Sequence, residues 1–115
     1  IGKDGDGVAY IGQVTAANQG SVFGVTMQCV EAPAGGSADI DLFSATEGTG
    51  VNDTAIGALT ETQIINAGTQ AAGTLTAGGD IAADQFLYLV SQGTGDATYT
   101  AGRLLIEITG FDVAS

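Results

Sequence analysis

Carboxylates are the residues of this chain best suited to chemistry. Asp4 and Asp6 alternate with glycine in Asp4-Gly5-Asp6-Gly7, which matches the start of a calcium loop. A full EF-hand loop needs further ligands at fixed later positions and a closing Glu. Val8, Tyr10 and Gly12 follow instead, so the segment reads as an acidic turn. Asp39, Asp41, Glu47 and Asp53 form a second acidic group. Strand alternation sets Asp39 and Asp41 on one face, where they suit either a hard cation or plain solvation, and solvation is the preferred reading. Paired carboxylates also run glycoside hydrolysis. Nothing in the sequence marks an acid of raised pKa in a cleft, and no Trp offers a sugar platform.

Nucleophiles fare no better. Ser21, Ser37, Ser44 and Ser91 have no histidine to act as base, because the chain has none, so a Ser-His-Asp triad is impossible. Gly48-Thr49-Gly50 lacks the Lys and the helix of a phosphate-binding loop. Cys29 lies in an apolar run and reads as a small buried hydrophobe rather than a reactive thiol. Tyr10, Tyr88 and Tyr99 read as core or interface residues, since no basic groove accompanies them for base stacking. Arg103 opens the last strand and reads as the partner of a surface acid or as an anchor for a neighbouring subunit. We therefore assign no catalytic, cofactor-binding or metal-binding residue and expect a non-enzymatic protein.

Composition points the same way. Thirteen acids stand against Lys3 and Arg103, a net charge of −11 over 115 residues. Phosphate backbones are repelled by such a chain, and the counterion-release drive for binding them is absent. Anionic membrane surfaces are disfavoured for the same reason, and no apolar run reaches the ~18–20 residues of a membrane-spanning helix. A cationic protein surface would be attracted. One cysteine excludes an internal disulfide framework. The chain starts at Ile1 without a charged-then-apolar leader pattern, and we expect residues upstream of it.

The elements that must position these residues are strands. We read 1–7 as an N-terminal arm and 8–115 as one domain. Val8–Thr15 is a first strand with Val8, Tyr10 and Val14 on one face. After a turn at 16–20, Val22–Val30 alternates, with Phe23, Val25, Met27 and Cys29 on its inner face. Glu31–Ser37 breaks that strand, because Pro33 cannot donate to a ladder. In Asp39–Ser44, Ile40 and Leu42 point inward and both aspartates outward. Residues 45–58 form a long polar connection in which Asp53 caps a brief helical turn. Thr60–Asn66 and Gly73–Ala77 are further strands, the first anchored by Ile64 or Ile65. Asp80 caps a helical turn over Ile81–Asp84. Gln85–Val90, apolar on both faces, is a central strand. Gly102–Gly110 closes the fold with Leu104, Ile106 and Ile108 inward. Many short strands with glycine-rich turns predict an all-β antiparallel sandwich with only short helical turns. A jelly-roll-like closure is compatible with this pattern.

Several stretches carry a resemblance. They are Gly20–Glu31, Ala32–Gly36, Asp39–Glu47, Gln85–Val90 and Ala97–Glu107. Together they resemble a module of virion structural proteins of marine tailed phages, cyanophages in particular, over about Val8 to Gly110. The resemblance is one of strands and glycine-rich turns and brings no functional residues with it. It implies a decoration or cement protein on the outside of the capsid, with the major capsid protein and further copies of itself as partners, a homotrimer being favoured. Val51, Ile56, Leu59 and Phe111 are the apolar residues we expect at such an interface. The alternatives are a tail-fibre, spike or head-fibre module for host-surface binding, or a secreted calcium-binding adhesin domain.

Overall fold

The computed structural model describes residues 8–15, 20–50, 54–92 and 99–111. Seven strands follow one another: β1 (Val8–Gln13), β2 (Ser21–Ala34), β3 (Ile40–Ala45), β4 (Glu61–Ile65), β5 (Leu75–Gly78), β6 (Phe86–Ser91) and β7 (Ala101–Phe111). They form a four-stranded sheet, β1-β6-β3-β4, and a three-stranded sheet, β5-β2-β7. Every pairing is antiparallel. The fold is thus the all-β sandwich that the alternation predicts. The seven described strands are one short of the eight of a jelly roll. Only β3 and β4 are both consecutive and adjacent; every other connection crosses between the sheets.

The core between the sheets is built from Val22, Val25 and Met27 of β2, Leu42 of β3, Ile65 of β4 and Leu87 of β6, with Val14 and Ile81. Leu104, Ile106 and Ile108 of β7 pack against it at the predicted period of two. β6 lies between β1 and β3, and both of its faces are apolar because Leu87 enters this core while Tyr88 and Val90 enter a second apolar cluster on the other side.

Bulges correct three readings of the sequence. In β2 the register slips between Val22 and Gly24. Val22 therefore turns inward, and Phe23, expected in the core, is 52% exposed. In β1 the register slips between Tyr10 and Gly12, whose φ is 156°. Val8 and Val14, expected on one face, consequently serve two different cores. Further slips at Glu31 and before Ala34 carry β2 through Pro33, where the sequence predicts a break. β5 pairs with β2 only over Val25–Gln28, so near Pro33 β2 has one neighbour, and proline is tolerated at a bulged edge.

Of the two predicted helical turns, one is present. The 3-10 turn at Ile56–Ala58 has Ala55 at its N-cap and no side-chain cap, and Asp53 lies outside the described residues. Residues 81–84 form no helical turn; Asp84 instead takes a left-handed φ of 62°.

Candidate interaction surface

The two sheets treat their outward faces differently. On the four-stranded sheet, Val8, Phe43, Ala45, Tyr88 and Val90 form a second apolar cluster. The described parts of the following connection, 46–50 and 54–60, cover it. Ile56 is buried in that cluster and Leu59 packs against it. The Tyr88 hydroxyl donates to the Glu47 carbonyl at 2.9 Å and accepts from the Gly50 N–H at 3.1 Å. The N–H of Val8 donates to the Thr54 carbonyl at 3.0 Å, tying the connection to β1. Its approach is so close that a Cβ at Gly50 would stand 2.8 Å from the Tyr88 ring, and one at Gly48 2.5 Å from Phe86. Glu47 clamps the base of the loop, accepting from the Thr60 N–H at 2.8 Å and the Thr60 hydroxyl at 2.6 Å. Those bonds, the hydroxyl's first, hold its pKa below the usual value.

Nothing among the described residues covers the three-stranded sheet in this way. Leu75, Gln28 and Leu105 stand in register across β5, β2 and β7. Leu75 is 63% exposed and Leu105 47%. Val30, at the β2 bulge, turns away from the buried Cys29 and is also exposed. Thr26, Glu107 and Ala77 extend the same face. Apolar Leu75, Leu105 and Val30 thus lie beside polar Gln28 and Thr26 and, on β7, the charged Arg103 and Glu107, a mix of apolar and polar groups found at contact surfaces.

The expected interface residues behave otherwise. Ile56 is buried and Leu59 half-buried inside the protomer, so the chain itself consumes them. Val51 and the side chain of Phe111 lie outside the described residues. Sequence reasoning missed Leu75 and Leu105. Leu105 was legible in principle, as the outward member of Leu104-Leu105-Ile106, where alternation calls for a polar residue.

The acidic group disperses. Asp41, expected outward and solvated, is 1% exposed. Its Oδ1 accepts from the Ala67 N–H at 2.8 Å and its Oδ2 from the Gln63 side chain at 2.9 Å. Burial raises its pKa, and the Ala67 bond partly offsets that. Asp39 bridges to Thr69, Glu47 serves Thr60, and Asp4, Asp6 and Asp53 lie outside the described residues. No group of three or more potential metal ligands occurs among the described residues.

The serines also have structural surroundings. Ser91 Oγ lies 2.9 Å from the Tyr99 hydroxyl, which donates to the Ser37 carbonyl. Tyr99 helps to line a cleft of about 170 Å³ with Pro33, Ile40, Leu89 and Arg103. Ser21 and Ser44 line an open groove of about 690 Å³ with Thr46, Thr62, Asp80 and Gln85. Hydroxyls there have no imidazole to activate them. Cys29 is fully buried, its thiol donates to the Glu31 carbonyl at 3.4 Å, and burial followed by the Glu31 charge pushes its pKa up. It is the small buried hydrophobe the sequence suggests. Tyr10 packs beside Tyr88 and Phe86, with ring centroids at 5.6 and 6.1 Å. No helix among the described residues is long and apolar enough to cross a membrane.

Comparison with protein-family models, curated proteins and solved structures finds no match.

Proposed function

We propose that this chain is a non-enzymatic structural protein of a tailed-phage virion. It acts as a decoration or cement protein that binds the major capsid protein on the outside of the shell and holds neighbouring subunits together. The observation that carries this reading is the exposed apolar row Leu75–Gln28–Leu105, with Val30, in a chain of net charge −11. An apolar centre supplies adhesion by burial. The chain's net charge of −11 favours a basic partner surface and steers the encounter. Many copies on one shell multiply modest contacts. The resemblance of the strand and turn segments to phage virion proteins supports the same reading, and the absence of histidine from the chain agrees with a role that needs no proton shuttle.

The test is quantitative mass spectrometry of purified particles that carry the protein, combined with a cryo-EM map. A copy number comparable to that of the main shell subunit, with density on the outer head surface, is the expected result. A few copies confined to a tail or fibre would replace this reading with host-surface binding. Calcium-dependent melting of the free protein would favour an adhesin domain.

A further inference from the structure

We infer that β7 is a self-complementary edge, through which two copies of this chain join antiparallel about a two-fold axis at Leu105. β7 ends the three-stranded sheet, and among the described residues no strand pairs with its other side. It is an eleven-residue strand, and an edge of that length is a template for another strand.

The backbone is presented correctly. The N–H and C=O of Cys29 bond towards the β5 side, to Thr74 and Gly73. The next residue inward, Gln28, therefore turns its groups to β7, where it faces Leu105. By alternation the N–H and C=O of Leu104 and Ile106 point away from β2. An antiparallel copy centred on Leu105 sets Leu104 opposite the partner's Ile106 and Ile106 opposite the partner's Leu104, which satisfies those groups on both sides. The Gly102 N–H is already held by Glu31 Oε1 at 2.9 Å, so the pairing runs over residues 103–107.

The side chains fix the register. Arg103, Leu105 and Glu107 share the outer face of β7. In the proposed register Leu105 meets its own copy, and Arg103 meets the partner's Glu107 twice, once on each side of the axis. These are non-hydrogen-bonded pairs, in which side chains come closest. Sliding by two residues one way sets Arg103 against Leu105. Sliding the other way sets Glu107 against Leu105. Sliding further opposes like charges, which is destabilising. Odd shifts turn the apolar inner face outward. Arg103, the one cation among the described residues, forms no ion pair with any acid among them. Charges on an edge ordinarily protect it; here they match.

The product is a six-stranded sheet whose outer row runs Leu75–Gln28–Leu105 and back through the partner. An isologous contact of this kind closes as a dimer, not the trimer expected from the resemblance. It is a property of the free protein and does not rest on the reading as a decoration protein.

Sedimentation of the full chain across a concentration series should show a monomer–dimer equilibrium. Arg103→Glu or Glu107→Arg should raise the dimer Kd about tenfold or more, since each change acts twice. The double reversal, R103E with E107R, should restore dimerisation. Leu105→Cys should give a cross-linked dimer on mild oxidation, because the paired Cα atoms fall within disulfide range. Leu75→Cys should not, and Cys29 is buried in both. Circular dichroism checks that each variant is folded. A wild-type monomer at all concentrations, a folded double reversal that stays monomeric, or cross-linking through position 75 instead of 105 would overturn the inference.

Discussion

Two sheet faces of one sandwich, made by the same alternation of residues, end in opposite states. Most of the outward face of the four-stranded sheet lies under residues 46–50 and 54–60, with Tyr88 and Ile56 fully or nearly buried and Tyr10 half-exposed on the edge strand. The outward face of the three-stranded sheet keeps Leu75 and Leu105 about half-exposed or more. Both faces carry large apolar residues, so strand composition does not decide which is covered. The covering comes from a long glycine-containing segment between β3 and β4 that can lie flat on aromatic rings. β2, β5 and β7 have no equivalent segment among the described residues. Apolar surface left exposed by a chain that covers a similar face elsewhere is best understood as surface for another molecule.

Substitutions can break this contrast, and the largest effect belongs to the covered face. Tyr88→Ala should cost about 4 kcal/mol, since it removes a buried ring and both bonds to the connection; urea denaturation measures it. Ile56→Ala should cost about 3 kcal/mol by leaving a cavity under the connection, with a lower melting temperature. A loss below about 0.5 kcal/mol at either site would mean that the connection is not held down as described.

Asp41 gives a smaller effect with a defined sign. Its folded-state pKa is raised above the ordinary value of 3.8. Its contribution to stability is therefore fully present below pH 3.8 and is lost as pH rises through the folded pKa. Asp41→Asn removes that dependence and turns an amide N–H₂ toward one of the two donors, the Ala67 N–H or the Gln63 amide, at a cost of about 1 kcal/mol. Wild type should thus gain on the variant in urea midpoint as pH falls from 7 toward 3.8. Glu47, whose shift runs the other way, is common to both proteins and cancels.

On the bare face the effect on the fold should be smallest. Leu75→Ser should change stability by less than about 0.5 kcal/mol yet weaken attachment to the shell in a particle sedimentation assay. Raising salt should likewise loosen attachment, which uses opposite charge, while leaving the free dimer intact. The same salt weakens its two exposed Arg103–Glu107 pairs only modestly and screens its long-range self-repulsion, while its centre is a backbone ladder with an apolar pair.

Most of the fold was legible because the period of two is strong in β2 and β7, and because the short apolar run of β6 marks a strand buried on both faces. Phe23, Val14 and Pro33 defeated that reading for one reason. A bulge adds a residue to one strand only, and the evidence for it lies in the partner strand, far away in the chain. Asp41 defeated it differently. Its burial depends on the Ala67 N–H and the Gln63 amide, groups that carry no signal of where they will point. The candidate surface was legible only in part. Leu105 breaks the polar alternation of its strand, whereas Ile56 and Leu59, which look like spare apolar residues in a loop, are taken up by a face that only the assembled sheet creates.

The order of the strands also governs how the molecule comes into being. β1 finds its neighbour at Val8↔Val90 and β2 finds its own at Ser21↔Phe111. The β3–β4 hairpin, whose strands are neighbours both along the chain and in the sheet, is the first pairing that can close during synthesis. At synthesis rates of about 5–20 residues per second, β2 waits several seconds for its longest partner, with Met27 and Val25 open to water and to other nascent chains. Folding dominated by such distant pairings is slow. Yield in the cell should therefore fall with expression rate and temperature well before the finished protein shows any instability.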